Sequence, residues 1–206
     1  MYVRVTSIYC DQAPGVHQAM DSLERVDRPA VEAARGNRGL MTVVDREAGV
    51  LVAASYWDEP GLASQASLTQ ARGAATEAAG GDMTTETFEV AAELRCAELP
   101  SSGVLRVFRA RSADAPSDLP ARVEWVIFPQ LATLNDFCAA ELRLAQDGRR
   151  PELVTMWSSA AAATAGAPEV WRLLSTSKEL EARFDPAEEY AVIGPCTPAE
   201  LGTPRS

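Results

Sequence analysis

The strongest constraint on the fold is that the chain contains itself twice. Pro29 precedes Trp57 by 28 residues and Pro129 precedes Trp157 by 28, an offset of 100 at both ends. VDRPAVEAARGNRGLMTVVDREAGVLVAASYW (Val26 to Trp57) lies on VIFPQLATLNDFCAAELRLAQDGRRPELVTMW (Val126 to Trp157) without a gap. Identities are few, but residue classes correspond: Glu24 with Glu124, Leu40 with Ala140, Val44 with Leu144, Ala54 with Val154, Ser55 with Thr155. At an offset of 102 the match extends outward, YVRV (Tyr2 to Val5) onto VLRV (Val104 to Val107) and TFEV (Thr87 to Val90) onto EYAV (Glu189 to Val192). A repeat of this length is one supersecondary unit duplicated.

Each copy reads as strand, helix, strand, strand, helix, strand. In the first, the β-branched and aromatic runs predict strands near Tyr2 to Tyr9, Arg38 to Asp45, Val50 to Trp57 and Thr84 to Ala92. Helices are expected near Val16 to Arg35 and Pro60 to Ala79. In the second, strands fall near Val104 to Arg111, Phe137 to Gln146, Glu152 to Ser158 and Glu189 to Ile193, and helices near Asp118 to Leu134 and Pro168 to Arg183. Turn residues sit at matching points, Asp45 to Gly49 and Asp147 to Arg150. Pro29 and Pro129 each remove a donor inside a helix, so a shared bend is expected. The domains expected are a first ferredoxin-like repeat (1–94), a Pro/Ser/Gly linker (95–103), a divergent second repeat (104–195) and a mobile tail (196–206).

Several function classes are excluded. The net charge of −10, with Lys178 the only lysine, argues against nucleic acid, whose phosphates need clustered cations. Cys10, Cys96, Cys138 and Cys196 lie far apart and His17 is the only histidine, so no metal is expected and the thiols read as free, as in a reducing cytoplasm. MYVRVTSIYC begins directly with strand-like residues, without a signal-peptide apolar region, and no run of about 18 apolar residues suggests a membrane span. A cytoplasmic protein is expected. Nucleotide-binding glycine loops and the Gly-x-Ser-x-Gly elbow are absent.

A four-stranded sheet with helices on one face must cover the other. By the period of two, Leu51, Ala53 and Trp57 share one side of their strand, as do Leu153, Thr155 and Trp157. These faces are expected to meet each other, with Tyr56 and Met156 turned toward the helices. The fold class is then α+β: two ferredoxin-like β-α-β-β-α-β repeats packed sheet to sheet as an intramolecular dimeric α+β barrel, a monomer that is its own pseudo-dimer.

The Val-Arg-Val start, the helix with a central proline, Gly-x-Arg-Gly (Gly36 to Gly39), Val-Asp-Arg-Glu-x-Gly (Val44 to Gly49) and the strand ending in Trp57 resemble the antibiotic-biosynthesis-monooxygenase-like group of dimeric α+β barrels. The resemblance runs through the first half and reaches the second through the repeat. Members of that family include cofactor-independent oxygenases of aromatic polyketides, haem-degrading enzymes and others with no established reaction. The haem-degrading members use an Asn on the first strand, a Trp ending the third and a His about ten residues later. Trp57 and Trp157 match that Trp, but the Asn position holds Ser7 or Arg109, and the His position Ser67 or Ala167. Without an axial histidine haem has no ligand, so no cofactor is expected.

The oxygenase reading needs an apolar pocket for an electron-rich phenol and a base or cation for the developing phenolate. Candidate walls are Trp57 and Trp157, and candidate cations are Arg4, its repeat mate Arg106, and Arg143. Glu141 and Arg143 stand where the first half has Met41 and Val43, a charge pair that either meets solvent or enters a cavity. Trp125, Trp171 and His17 read as packing or surface residues, and Glu188-Glu189 as solvated charge. The expected function is a barrel that binds a small apolar or aromatic molecule, with monooxygenase chemistry on it. The alternative is a non-enzymatic interaction or ligand-sensing module with a filled core.

Overall fold

A computed structural model of the chain describes residues 1–10, 13–64, 80–110, 116–145, 150–176 and 184–196. The first half holds β1 (Tyr2–Tyr9), α1 (Ala13–Ser22), a π-helical turn (Leu23–Asp27), α2 (Arg28–Glu32), β2 (Asn37–Asp45), β3 (Val50–Trp57), a 3₁₀ turn (Pro60–Ser64) and β4 (Met83–Arg95). The second holds β5 (Val104–Arg109), α3 (Leu119–Arg122), a π-helical turn (Val123–Ile127), α4 (Phe128–Leu131), β6 (Phe137–Ala145), β7 (Glu152–Trp157), α5 (Ala160–Thr176) and β8 (Glu188–Gly194). The ladder runs β1-β3-β2-β8-β5-β7-β6-β4 and closes into a barrel. The fold class is thus α+β, as expected. By compactness the chain parts into Met1–Phe88 with Val192–Ser206, and Glu89–Ala191. These boundaries fall inside β4 and β8.

The repeat extends to the irregularities. In the first unit the Arg28 N–H donates to the Leu23 carbonyl, and in the second the Phe128 N–H donates to that of Val123, one widened turn at the same place in each. Pro29 and Pro129 follow directly. A proline cannot donate and its ring crowds the carbonyl four residues back, and a π-turn relieves that crowding. The expected shared bend is therefore a paired π-turn. β2 and β6 also carry a register shift at equivalent points, Asn37/Gly39 and Phe137/Ala139. In the first unit the Asn37 amide holds this bulge, donating to the Tyr56 carbonyl and accepting from the Gly39 N–H at 3.0 Å.

Inside each unit the helices pack on one sheet face, and that face is the reverse of the expected one. Leu51 packs with Val16, Ala19 and Leu23 from the first helical segment, and Trp57 with Val31 and Ala34. Leu153 and Trp157 join Val123, Ile127, Leu131, Ala163 and Val170 in the larger core of the second unit. Tyr56 and Met156 therefore point away from the helices. Alternation separates two faces but cannot say which one meets helices when both are apolar.

Two helix expectations shift. α5 begins at Ala160 and contains Pro168, rather than starting there. Its first residues are alanines, the best helix formers, and the Ser159 hydroxyl accepts from the Ala162 N–H at 3.2 Å. In the first half, Pro60–Ser64 is a 3₁₀ turn; the rest of the helix expected to Ala79 lies outside the described residues, as do the turn at 146–149, the end of the last helix and the tail from 197. No helix among the described residues is long and apolar enough to cross a membrane.

Candidate functional site

In the second unit the β5 period of two turns Arg106 and Phe108 toward the helices, and the β5–β8 register sets Glu189 opposite Arg106. Above them runs α5, whose Ala163, Ala167 and Trp171 stand four apart on one helix face. The small side chains let the helix sit low over the sheet. A Cβ added at Gly166 would lie 2.1 Å from Cη2 of Trp157.

Where Ala167 follows, the helix and sheet leave a cavity of about 460 Å³ whose lining includes Arg106, Phe108, Ala167, Trp171, Ala187 and Glu189. Phe108 and Trp171 stand with ring centroids 6.4 Å apart and planes 26° apart. This is a near-parallel aromatic wall. Beside Phe108 on the same strand face lies one ion pair: Arg106 Nε donates to Glu189 Oε2 at 2.7 Å, and Nη2 approaches the same oxygen at 2.6 Å. Nη1 donates to the Ala163 carbonyl at 2.8 Å, which tethers the guanidinium to the helix. The arrangement is a slot for a flat apolar molecule with a polar group at one edge.

Of the residues singled out in the sequence, Arg106 is in this slot and the others are elsewhere. Trp57 and Trp157 are fully buried, and each indole N–H is taken by the hydroxyl two residues earlier, Ser55 at 2.9 Å and Thr155 at 3.0 Å. Trp157 also meets Phe137 edge-on at 5.3 Å. Both tryptophans seal the helix–sheet layer of their unit, and neither lines the slot. Arg4 pairs in register with Ser55, facing the first unit's helices, and burial holds its guanidinium below the ordinary value. Ser7, opposite Val52, is half-buried on the other face. His17 is exposed on α1.

Arg109, Glu141 and Arg143 share the sheet face away from the helices. Register sets Arg109 opposite Glu152 and Glu152 opposite Arg143. Glu141 and Arg143 are 2% and 3% exposed and bonded at 2.7 Å, so the pair is buried rather than solvated. Arg109 bonds Glu152 at 2.8 Å and also Glu188, which accepts from Tyr190 Oη at 2.7 Å. Burial alone would lower Arg109, but the charge of Glu152 and the contact with Glu188 outweigh it and raise its pKa. Burial and Glu188 also push the Tyr190 phenol up.

Three slot residues escaped the sequence reading: Phe108, Trp171 and Glu189. Trp171 read as helix packing, yet it is 43% exposed. Glu189 read as solvated charge, and its partner is 83 residues away in sequence. The available signal was a charge at Glu189 where the first half has Thr87. A second cavity of about 500 Å³, in the first unit, surrounds the corner between α2 and β2. It is lined by Glu32, Arg35, Asn37, Arg38, Asp58 and Glu59, and includes the Arg38–Asp58 ion pair of 2.6 Å.

No protein-family model matches the chain. Two uncharacterized proteins of Mycobacterium tuberculosis, from strains CDC 1551 / Oshkosh and ATCC 25618 / H37Rv, are each 28% identical over 148 residues, 69% of this chain. The match spans 64% of those relatives' own length. Among solved structures, a candidate monooxygenase of Fusobacterium nucleatum superposes with a TM-score of 0.69 at 8% identity, over 96% of this chain and 94% of that one. An anthrone oxidase-like protein gives 0.65 at 11% identity, over 98% and 94%. A ferredoxin-fold protein of Listeria monocytogenes related to antibiotic biosynthesis monooxygenases gives 0.52 at 8%, over 92% and 94%. At these identities the likeness is one of architecture, and the chain has the fold of the antibiotic-biosynthesis-monooxygenase-like dimeric α+β barrels.

Proposed function

We propose that the chain binds a small aromatic molecule in the slot between α5 and the β5–β8 pair, and oxygenates it without a bound cofactor. The observation that carries this reading is one cavity lined by both the Phe108–Trp171 pair and an anchored cation, Arg106. Stacked rings supply affinity for a flat ring system, and a tethered guanidinium stabilises negative charge that develops on a ring oxygen. The slot includes Ala167, the position where the haem-degrading pattern has a histidine, which supports a site here without haem chemistry. Every lining residue belongs to the second unit, so on this reading one chain carries the site alone.

The solved relatives described as monooxygenases and as anthrone oxidase-like suggest the test substrate. Anthrone, which presents a ring hydroxyl as its enol tautomer, plus dioxygen gives anthraquinone plus water. The methylene carbon is oxidised, one oxygen atom stays on it, and the other leaves as water with the two methylene hydrogens. Oxygen uptake by the purified chain should match anthraquinone formed one to one, and Trp171→Ala should lower both by about tenfold. Quenching of tryptophan fluorescence by anthraquinone without any oxygen uptake would leave a ligand-sensing module. No quenching and no uptake would remove the slot reading.

A further inference from the structure

The polar edge of the slot is a pair rather than a lone cation, and its hydrogen bonds are unevenly used. A guanidinium has five N–H donors and a carboxylate two acceptor oxygens. Arg106 directs Nε and Nη2 to the same oxygen, Glu189 Oε2, and Nη1 to the Ala163 carbonyl. Among the described residues this leaves one N–H on each Nη nitrogen and no donor on Glu189 Oε1. The Glu189 side chain is 43% exposed and that of Arg106 14%, so the carboxylate forms the accessible side of the pair.

Two unused N–H groups on Arg106 and an uncapped oxygen on its ion-pair partner put a donor and an acceptor at one edge of the slot. An uncharged hydroxyl satisfies both, because its oxygen accepts from Arg106 while its proton goes to Glu189. An ether oxygen accepts but has nothing to donate, which leaves Glu189 unserved. A carboxylate also accepts, but it meets the charge of Glu189 with no proton between them, and like charges at that range repel. On the basis of the slot reading above, we propose that Glu189 is the specificity-determining residue of the site, selecting aromatic molecules with an uncharged ring hydroxyl over their carboxylate and ether counterparts.

The test uses three probes of one ring system, 2-naphthol, 2-methoxynaphthalene and 2-naphthoate, with affinities measured by calorimetry on the full chain. The wild-type chain should bind 2-naphthol about tenfold more tightly than the ether, the worth of one hydrogen bond to a charged group. It should bind 2-naphthoate more weakly still. Glu189→Gln keeps the shape and removes the charge, so 2-naphthoate should gain about tenfold or more and overtake 2-naphthol. The ether should bind wild type and variant alike, which reports an intact slot within the same experiment. If Glu189→Gln loses the ether as well, Glu189→Ser is judged by the same ranking. Equal binding of naphthoate and naphthol by the wild-type chain, or an unchanged ranking in the variant, overturns the role of Glu189 while the slot reading stands. Binding of none of the three to the wild-type chain removes both.

Discussion

At the scale of single residues, the tryptophans that draw attention in the sequence are the least available for chemistry. A buried indole N–H costs free energy unless it is bonded. Ser55 and Thr155 meet that need from the same strand and face, two residues back. The ring of Trp157 is thereby fixed, and α5 lies against it at Gly166. Replacing a helical glycine with alanine ordinarily stabilises by about 1 kcal/mol. Here the added methyl would stand 2.1 Å from a ring atom that cannot swing away, so overpacking of about 1–3 kcal/mol should outweigh the gain. Thermal denaturation of Gly166→Ala should show a lowered Tm. Gly61→Ala, with nothing within 4 Å of the new methyl, serves as the control. A raised Tm for Gly166→Ala would mean that the helix does not rest on the indole.

At the scale of elements, the first unit ties its bent helix to the sheet through one side chain. Arg28 bonds Glu24 at 2.7 Å and Glu32 at 2.9 Å on its own helical stretch, then the Leu40 carbonyl at 2.8 Å and Thr42 Oγ1 at 3.0 Å on β2. Gly194 makes room for it, since a Cβ there would fall 1.8 Å from Nη2. Burial pushes the Glu24 carboxyl up, but the hydrogen bonds from Arg28 and Thr42 and the charge of Arg28 outweigh it, so its pKa is lowered. A carboxyl lowered on folding adds stability that is present above the unfolded value of about 4.3 and is lost as pH falls through the folded one. Stability measured by urea unfolding should therefore drop from about pH 4.3 downward, and Glu24→Gln should flatten that slope at a cost of about 1–2 kcal/mol near neutrality. An acid slope unchanged in Glu24→Gln would place the titration elsewhere. The elements themselves were legible: strands, hairpins and the shared bend follow from alternation, turn residues and the paired prolines. What joins them was not, because Arg28 to Thr42 and Arg106 to Glu189 depend on packing and strand partners that no local pattern specifies.

At the scale of the whole molecule, the duplication was legible and the divergence of its halves only partly so. On the sheet face away from the helices, register aligns Ser7 with Val52 and Val52 with Val43 in the first unit, and Met41 lies two residues along. The same positions in the second unit hold Arg109, Glu152, Arg143 and Glu141. Sequence alignment found the exchange at Glu141 and Arg143. It could not tell solvent from interior, because burial of a strand face depends on what covers it. Buried ion pairs are a poor source of stability, since desolvation offsets attraction, yet removing one partner takes a contact from a charge that stays buried. The chain supplies its own apolar template for a test. Glu141→Met and Arg143→Val, each restoring the first unit's residue, should each destabilise by about 1.5–3 kcal/mol alone, the worth of one hydrogen bond to a charged group. Combined, they should lie closer to wild type than either single variant, with a coupling of about 1.5 kcal/mol or more in a denaturant-unfolding cycle. Simple addition of the two losses would show that each residue holds a different partner, and that the second half keeps its charges for contacts other than the one between them.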